Sequence, residues 1–232
     1  MRKVLVTGSN RGIGLGFVKH LLGGGDVVFA GCRNPDGAAA LKALQPEAGE
    51  RLVVMPLDVT DEASITQAAT VVDDSGGNLD LLINNAGVGG DQTALGNIDA
   101  DDMLQTYRVN VAGPLMMAQT FAPLLAKGNG PFIVNITSLM GSIADNRGGG
   151  WYAYRTSKAA LNMVCANLAL DLKPQGIGAV VLHPGWVRTD MGGSGATLSI
   201  EESVGAMLNV VDHLTLSDSG KFFNRNGGRE PW

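Results

Sequence analysis

Residues 4–14 read Val4-Leu5-Val6-Thr7-Gly8-Ser9-Asn10-Arg11-Gly12-Ile13-Gly14. Three apolar residues make a short buried-strand pattern, glycines interrupt it, and Ile13, Phe17 and Leu21 then recur at helical spacing. A strand that turns through glycines into a helix is the opening unit of a parallel sheet, because a crossover must carry the chain back before the next strand runs the same way. The alternation continues outward from this unit. Apolar, β-branched runs predict strands over residues 27–30, 52–55, 79–83, 132–136 and 179–182, with a short seventh over 221–223. Between them the spacing predicts helices over 12–22, 38–44 and 153–172, the last ended by Pro174 and Gly176, and over 200–214. Asp61 is placed to cap another, before Ile65, Ala68 and Val72. A long helix over 100–125 carries an interruption near Gly113-Pro114. The expected architecture is α/β, a doubly wound parallel sheet of about seven strands with helices on both faces.

Length and composition narrow the alternatives. The 232 residues suit one domain spanning 1–232, with a core large enough to need no disulfide or metal staple. Seventeen basic against 22 acidic side chains give a net charge of −5, which argues against a nucleic-acid surface. The two cysteines, Cys32 and Cys165, have no metal-ligand spacing and point to a reducing compartment. His20, His183 and His213 likewise show no metal spacing. No stretch approaches the roughly 18 apolar residues of a membrane span, and the apolar run before Thr7 is too short for a signal-peptide core of about 7–15 residues. Cytoplasmic residence, with no membrane and no nucleic-acid partner, is the expectation.

The first turn implies a ligand. Gly8, Asn10, Arg11, Gly12, Ile13 and Gly14 lie where the backbone can approach a pyrophosphate and where a helix amino terminus offers unpaired N–H groups. The spacing is G-x-x-x-G-x-G rather than G-x-G-x-x-G, and a tight turn needing glycine only for packing is the alternative. Arg33 follows the second strand, where an acidic residue would serve the ribose hydroxyls of NAD. A guanidinium there suits a 2′-phosphate instead, with Arg11 as a second cation. NADP(H) is therefore expected over NAD(H), with Asp36 as a rival partner for the ribose.

Tyr154-Arg155-Thr156-Ser157-Lys158 opens a later helix. Residues four apart share a helix face, so the phenol and the ammonium lie together. A nearby lysine and a positively charged nicotinamide favour phenolate and lower the tyrosine pKa from about 10, which suits a general acid or base. Tyr152, six residues before Lys158, faces elsewhere. Ser138 follows the fifth strand at the carboxyl end of the sheet, where its hydroxyl can steady a developing oxyanion; Thr137 is the rival hydroxyl.

Taken in order, Thr7-Gly8 with Gly12 and Gly14, Asp58-Val59, Asn84-Asn85-Ala86-Gly87, Asn110, Ser138, Tyr154 with Lys158, and Pro184-Gly185 with Thr189 resemble the short-chain dehydrogenase/reductase family over nearly the full length. Within it the chain is similar to the small sniffer-type and C-factor-type carbonyl reductases, through Ser138-Leu139-Met140-Gly141-Ser142-Ile143, the stretch from Tyr154 to Met163, and the short ending from Gly220 to Trp232. The resemblance implies a Rossmann-type fold and an NADPH-dependent reductase of ketones or aldehydes. It places Asp58 and Val59 on the adenine, and Asn85, Ala86 and Gly87 beside the central strand and the adenosine ribose. Asn110 would hold a water linking Lys158 to a proton relay, Lys158 would also bind the nicotinamide ribose, and Pro184, Gly185, Val187 and Thr189 would fix the carboxamide. Ser138, Tyr154, Lys158 and Asn110 are thus the catalytic set. Related readings are a 3-oxoacyl or steroid alcohol dehydrogenase, or a non-enzymatic NADP(H)-binding signalling protein of C-factor type. The family also implies a homodimer through the helix over 153–172, whose apolar face serves intramolecular core equally well.

The substrate is less sharply written. Leu139, Met140, Val88, Trp151, Trp186 and Met191 are apolar or aromatic walls that suit a hydrophobic small-molecule carbonyl or alcohol, and no basic cluster marks a phosphorylated or CoA-bearing one. Three glycines in residues 145–150 lengthen the segment between Ser138 and Tyr154. Residues 192–198 have the composition of a lid.

Overall fold

Val4 and Val6 of the first strand pack on one side of a sheet and Leu5 on the other, each fully buried. That parity, repeated along every central strand, divides the core in two. The computed structural model describes residues 1–90 and 94–232. Seven strands, β1 (Lys3–Thr7), β2 (Val27–Cys32), β3 (Leu52–Pro56), β4 (Leu81–Asn84), β5 (Phe132–Ile136), β6 (Gly178–His183) and β7 (Phe222–Asn224), form one sheet in the order β3-β2-β1-β4-β5-β6-β7. Every neighbouring pair is parallel. This is the doubly wound, Rossmann-type sheet that the alternation predicts.

The helices follow in chain order: α1 (Gly12–Gly23), α2 (Ala39–Lys42), α3 (Gln45–Ala48), α4 (Glu62–Asp74), α5 (Ala100–Tyr107), α6 (Gly113–Leu125), α7 (Tyr152–Asp171) and α8 (Ile200–Val211). Phe17 and Leu21 of α1 and Val204 and Leu208 of α8 cover the Val4 face. Ile65 of α4, Phe121 of α6 and Leu168 of α7 cover the Leu5 face. Asp61 caps α4 by accepting from the Ala63 N–H, as expected, and a Ser199–Glu202 capping box opens α8.

Two helices depart from the expected spans because of proline, and α8 ends at Val211, short of the expected 214. The helix expected over 38–44 is a single turn, α2, and a second turn, α3, follows beyond that span. Pro46 has no N–H for the Lys42 carbonyl, so the first turn cannot continue, and the second starts with proline in its tolerated amino-terminal position. The long helix over 100–125 is broken at Arg108–Ala112, where a π-turn joins α5 to α6. Pro114 cannot donate to the Asn110 carbonyl four residues earlier, and the chain widens just before it.

Crossovers leave β1 in one direction toward β2 and β3 and in the other toward β4, so the order reverses between β1 and β4. Ligands of open parallel sheets bind outside the carboxyl ends of strands at such a reversal. The glycine turn, Arg33, Asn85, Ser138 and Pro184 all follow carboxyl ends of strands.

Candidate active site

The glycine turn is clamped from both neighbouring strands. Ser9 donates through its hydroxyl and its N–H to the Gly31 carbonyl beyond β1, at 2.9 and 3.1 Å. From β4, the Asn85 amide donates to the carbonyls of Thr7 and Gly8 at 2.9 and 3.2 Å. The Thr7 hydroxyl accepts from the N–H groups of Asn85 and Ala86. Gly8 has φ +64°, and a Cβ there would stand 2.9 Å from the Ala86 Cα; a methyl on Gly14 would overlap the Gly8 carbonyl. The helix that follows begins at Arg11 with no side-chain cap and no acidic residue in its first turn. A bare amino-terminal N–H cluster behind a turn stripped of side chains fits a pyrophosphate.

The adenosine end fits a 2′-phosphate. Arg33 is exposed one residue beyond β2 and makes no salt bridge among the described residues. It faces Asp58. Burial would push the Asp58 carboxyl up, but two hydrogen bonds from Thr60 and the Arg33 charge hold it below the usual carboxylate range. Val59 is buried against Gly113 of α6. Asp36, the rival ribose partner, is paired with Lys42 at 3.4 Å. Arg11 is the surprise: instead of standing free for a phosphate, its guanidinium is paired with Asp190.

The catalytic candidates do converge. Tyr154 and Lys158 lie on the first turns of α7, with the ammonium 5.7 Å from the centroid of the phenol ring. Lys158 is 5% exposed and donates to the Ile136 carbonyl at 2.9 Å. Ser138 lies near enough to the Tyr154 hydroxyl to act on its titration, and its Oγ accepts from the Met140 N–H at 3.1 Å. Thr137 is excluded as the rival, because its buried hydroxyl donates to Asn162 at 2.7 Å.

Asn110 is fully buried in the π-turn, and its amide is spent on structure. It accepts from the Val88 N–H and donates to the Val88 carbonyl, both at 2.9 Å, and donates to the Ser157 hydroxyl at 3.0 Å. Ser157 in turn donates to the Tyr154 carbonyl. Asn110 thus ties the chain after Gly87 to α7, with both of its amide hydrogens engaged.

The electrostatics revise one expectation. Burial pushes the Tyr154 phenol above its ordinary value, opposed by Ser138, and pushes Lys158 down to about 8. Desolvation outweighs the opposing effect of Ser138 in this state, so the phenol stays protonated at neutral pH, the form that a proton donor needs.

Pro184 and Gly185 follow β6, with the Pro184 carbonyl accepting from the buried Ser203 hydroxyl at 2.7 Å. Val187 is buried and bridges Leu198, which closes residues 186–198 into a fastened loop. Trp186 Nε1 donates to the Gly192 carbonyl, and Thr189 Oγ1 accepts from the Gly192 N–H. The loop expected as a lid is therefore held by its own hydrogen bonds. Among the expected walls, Val88, Trp186 and Met191 are exposed; Trp151 meets Tyr154 edge-on at 6.3 Å. Trp151 has φ +52°, the one positive value outside glycine among the described residues, which stores strain of about 1–3 kcal/mol directly before α7.

Three contributors were not legible in the sequence. Asp190 engages Arg11. Arg155 donates to the carbonyls of Gly149 and Met140, tying down both segments that flank the phenol. Trp232 accepts through its carbonyl from the Ala144 N–H at 2.9 Å and the Ser142 hydroxyl at 3.3 Å, while its ring packs on Phe222. The sequence offers a usable signal only for Arg155, which sits inside the Tyr154–Lys158 turn. No group of His, Cys, Asp and Glu among the described residues is arranged to hold a metal, and no described helix is long and apolar enough to cross a membrane.

Residues 2–197 match the family model described as short chain dehydrogenase. The C-signal protein of Myxococcus xanthus is 49% identical over 156 residues, 67% of this chain and 94% of that protein. The 1-hydroxy-2-glutathionyl-2-methyl-3-butene dehydrogenase of Rhodococcus sp. strain AD45 is 33% identical over 236 residues, covering both chains fully. The NADPH-bound carbonyl reductase from chicken fatty liver superposes with a TM-score of 0.94 at 43% identity, over 100% of this chain and 99% of that one. The carbonyl reductase Sniffer of D. melanogaster gives 0.96 at 35% identity over the whole of both chains.

Proposed function

The chain belongs to the short-chain dehydrogenase/reductase family, and from that premise we propose that it is an NADPH-dependent reductase of ketones or aldehydes. The observation that carries the reading is the cluster of buried Ser138 and Lys158 with half-buried Tyr154 at the carboxyl edge of the sheet, beside the uncapped glycine turn. Similarity to an NADPH-bound carbonyl reductase supports the choice of cofactor, as does Arg33, which makes no salt bridge among the described residues.

When bound, NADPH supplies a hydride to the carbonyl carbon. The residues of the chain do the rest. The turn from Gly8 to Gly14 would hold the pyrophosphate, Arg33 the 2′-phosphate, Asp58 and Val59 the adenine, and Lys158 the nicotinamide ribose. Pro184, Gly185, Val187 and Thr189 would border the carboxamide. Ser138 and Tyr154 bind the substrate oxygen, and Tyr154 gives it a proton as negative charge develops, so that the product is an alcohol. Lys158, mostly charged at neutral pH, offsets the phenolate left behind. Asn110 acts by positioning: it fixes α7 against Val88. The apolar rim of Val88, Trp186 and Met191 favours a hydrophobic carbonyl compound over a charged one.

The test is optical: NADPH oxidation with a panel of aldehydes, ketones and quinones, set beside 3-oxoacyl and steroid substrates. The reading expects turnover with NADPH on at least one hydrophobic carbonyl. The likeness to C-signal favours a second reading, a nicotinamide-binding signalling protein, which tight cofactor binding without turnover on any carbonyl would support. We further propose a homodimer through α7, which buries Leu161 and Leu168 inward but leaves Met163 and Leu170 exposed at 63% and 73%. Light scattering after gel filtration checks it. The two buried free cysteines support a reducing, cytoplasmic setting, which cell fractionation checks.

A further inference from the structure

We propose that Asp190 tunes the choice between NADPH and NADH by competing for Arg11, an inference that rests on the nicotinamide reading above. Arg11 is the residue before α1, inside the turn that faces the pyrophosphate, and its guanidinium is paired with Asp190 of the fastened loop. The two side chains are 71% and 78% exposed, and they are 179 residues apart in the chain. A second contact joins the same segments: a Cβ on Gly12 would stand 3.5 Å from the Thr189 methyl. The loop after β6 therefore closes directly over the cofactor turn, and its carboxylate takes the cation there.

The cations at the adenosine side are unequal as a result. Arg33 has no salt bridge among the described residues, while Arg11 already has a carboxylate partner. NADH carries no 2′-phosphate and leaves the Arg11–Asp190 pair intact. NADPH brings two further negative charges, which attract Arg11 and are repelled by Asp190. Its binding must break one exposed ion pair, and NADH binding need not. Asp190 thus weakens NADPH selectively, and 2′-phosphate binding releases one tether of the 186–198 loop. An exposed pair is worth little to folding, so its effect falls on cofactor selection rather than on stability.

The experiment measures NADPH and NADH dissociation constants by fluorescence titration for the wild-type protein, Asp190→Asn, Arg11→Ala and the double variant. Asp190→Asn should tighten NADPH by about two- to five-fold, the range of one exposed ion pair. It should leave NADH within about 1.5-fold, because the competing charge is that of the 2′-phosphate, which NADH lacks, and the pyrophosphate is common to both cofactors. The selective gain should vanish in the Arg11→Ala background and shrink at high salt. Equal tightening of both cofactors, weakening of NADPH, or a gain that survives Arg11→Ala overturns the competition. Failure of the wild-type protein to bind either cofactor overturns the nicotinamide reading itself. Binding of NADPH with an unchanged preference in Asp190→Asn overturns only the role given to Asp190.

Discussion

The ammonium of Lys158 stands 5.7 Å from the ring centroid of Tyr154 and turns its hydrogen bond toward the Ile136 carbonyl, at the end of β5. Both groups are thereby anchored to the carboxyl edge of the sheet, one through α7 and the other through strand backbone, while Ser138 leaves the same strand and meets the phenol. In the proposed reaction, a proton donor held by two rigid elements would keep its geometry through turnover.

Removing that donor separates chemistry from binding. Tyr154→Phe is expected to lower kcat by about 10²–10⁴-fold, the usual worth of a positioned general acid. The dissociation constant for NADPH should stay within about two-fold, since the phenol meets the substrate oxygen and not the phosphates. Steady-state kinetics with a responsive carbonyl and a separate cofactor titration measure the two. Wild-type turnover in the variant would remove Tyr154 from the reaction.

Lys158 carries a stability cost. Burial lowers its pKa from 10.5 to about 8, so at neutral pH the folded state holds a charge that the unfolded chain solvates better. The shift corresponds to roughly 3 kcal/mol, partly offset by about 1 kcal/mol for the bond to Ile136. Lys158→Met should therefore raise the Tm of the cofactor-free protein by about 4–8 °C while turnover collapses. The pH dependence has a definite sign. Between about 8 and 10.5 the folded wild-type protein has lost this proton and the unfolded chain has kept it, so wild-type stability rises with pH and the gap to the variant closes. Cys165 and Tyr154, both raised by burial, are common to the two proteins and cancel in the difference. Denaturant titrations at pH 7 and pH 10 compare them; a gap that widens with pH contradicts the assigned burial.

Much of this fold was legible because its strands are short and wholly buried. Val4, Leu5 and Val6 read as a strand from composition alone, and their alternation between two core faces needed only the period of two. The alternation gave a parallel, doubly wound sheet, and the order of its strands came only with the structure. Local proline chemistry was harder: Gly113-Pro114 signalled an interruption, but not that the break lies in Arg108–Ala112 and buries Asn110 as a clamp on Val88. Least legible were contacts that depend on where distant segments land. Nothing near Arg11 announces Asp190, and nothing near Ser142 announces Trp232, 90 residues away. A surface carboxylate or a chain-end tryptophan has no local pattern to betray its partner.

Arg33 tests the cofactor end on its own. It faces Asp58, makes no salt bridge among the described residues, and would form a charge-assisted pair with a 2′-phosphate. Arg33→Ala should weaken NADPH by about 10- to 100-fold, corresponding to roughly 1.5–3 kcal/mol for a hydrogen bond to a charged group. NADH, lacking that phosphate, should change little. Parallel titrations decide it; equal losses for both cofactors would mean that the guanidinium serves the fold rather than the phosphate.

Gly141 offers the sharpest check on the catalytic geometry. It lies in the turn Leu139–Gly141, and a Cβ there would stand 2.8 Å from both the Lys158 carbonyl carbon and the Lys158 Cβ, and 3.0 Å from the Ala159 nitrogen. These atoms belong to the body of α7 and cannot swing aside, so Gly141→Ala must push the turn away from the helix. Ser138 moves with it, because the Gly141 N–H donates to the Ser138 carbonyl at 2.8 Å and the Met140 N–H to its hydroxyl. A displacement of about 1 Å costs on the order of 10²-fold in rate. The expected result is that loss in kcat/KM for the carbonyl with NADPH affinity retained, since the glycine turn is not touched. Gly148→Ala is the control: its φ is not positive, and its Cβ would meet nothing nearer than the Arg155 guanidinium at 3.9 Å. Near-wild-type activity is expected there. If both variants lose activity equally, crowding between the Ser138 turn and α7 is not what holds the serine in place.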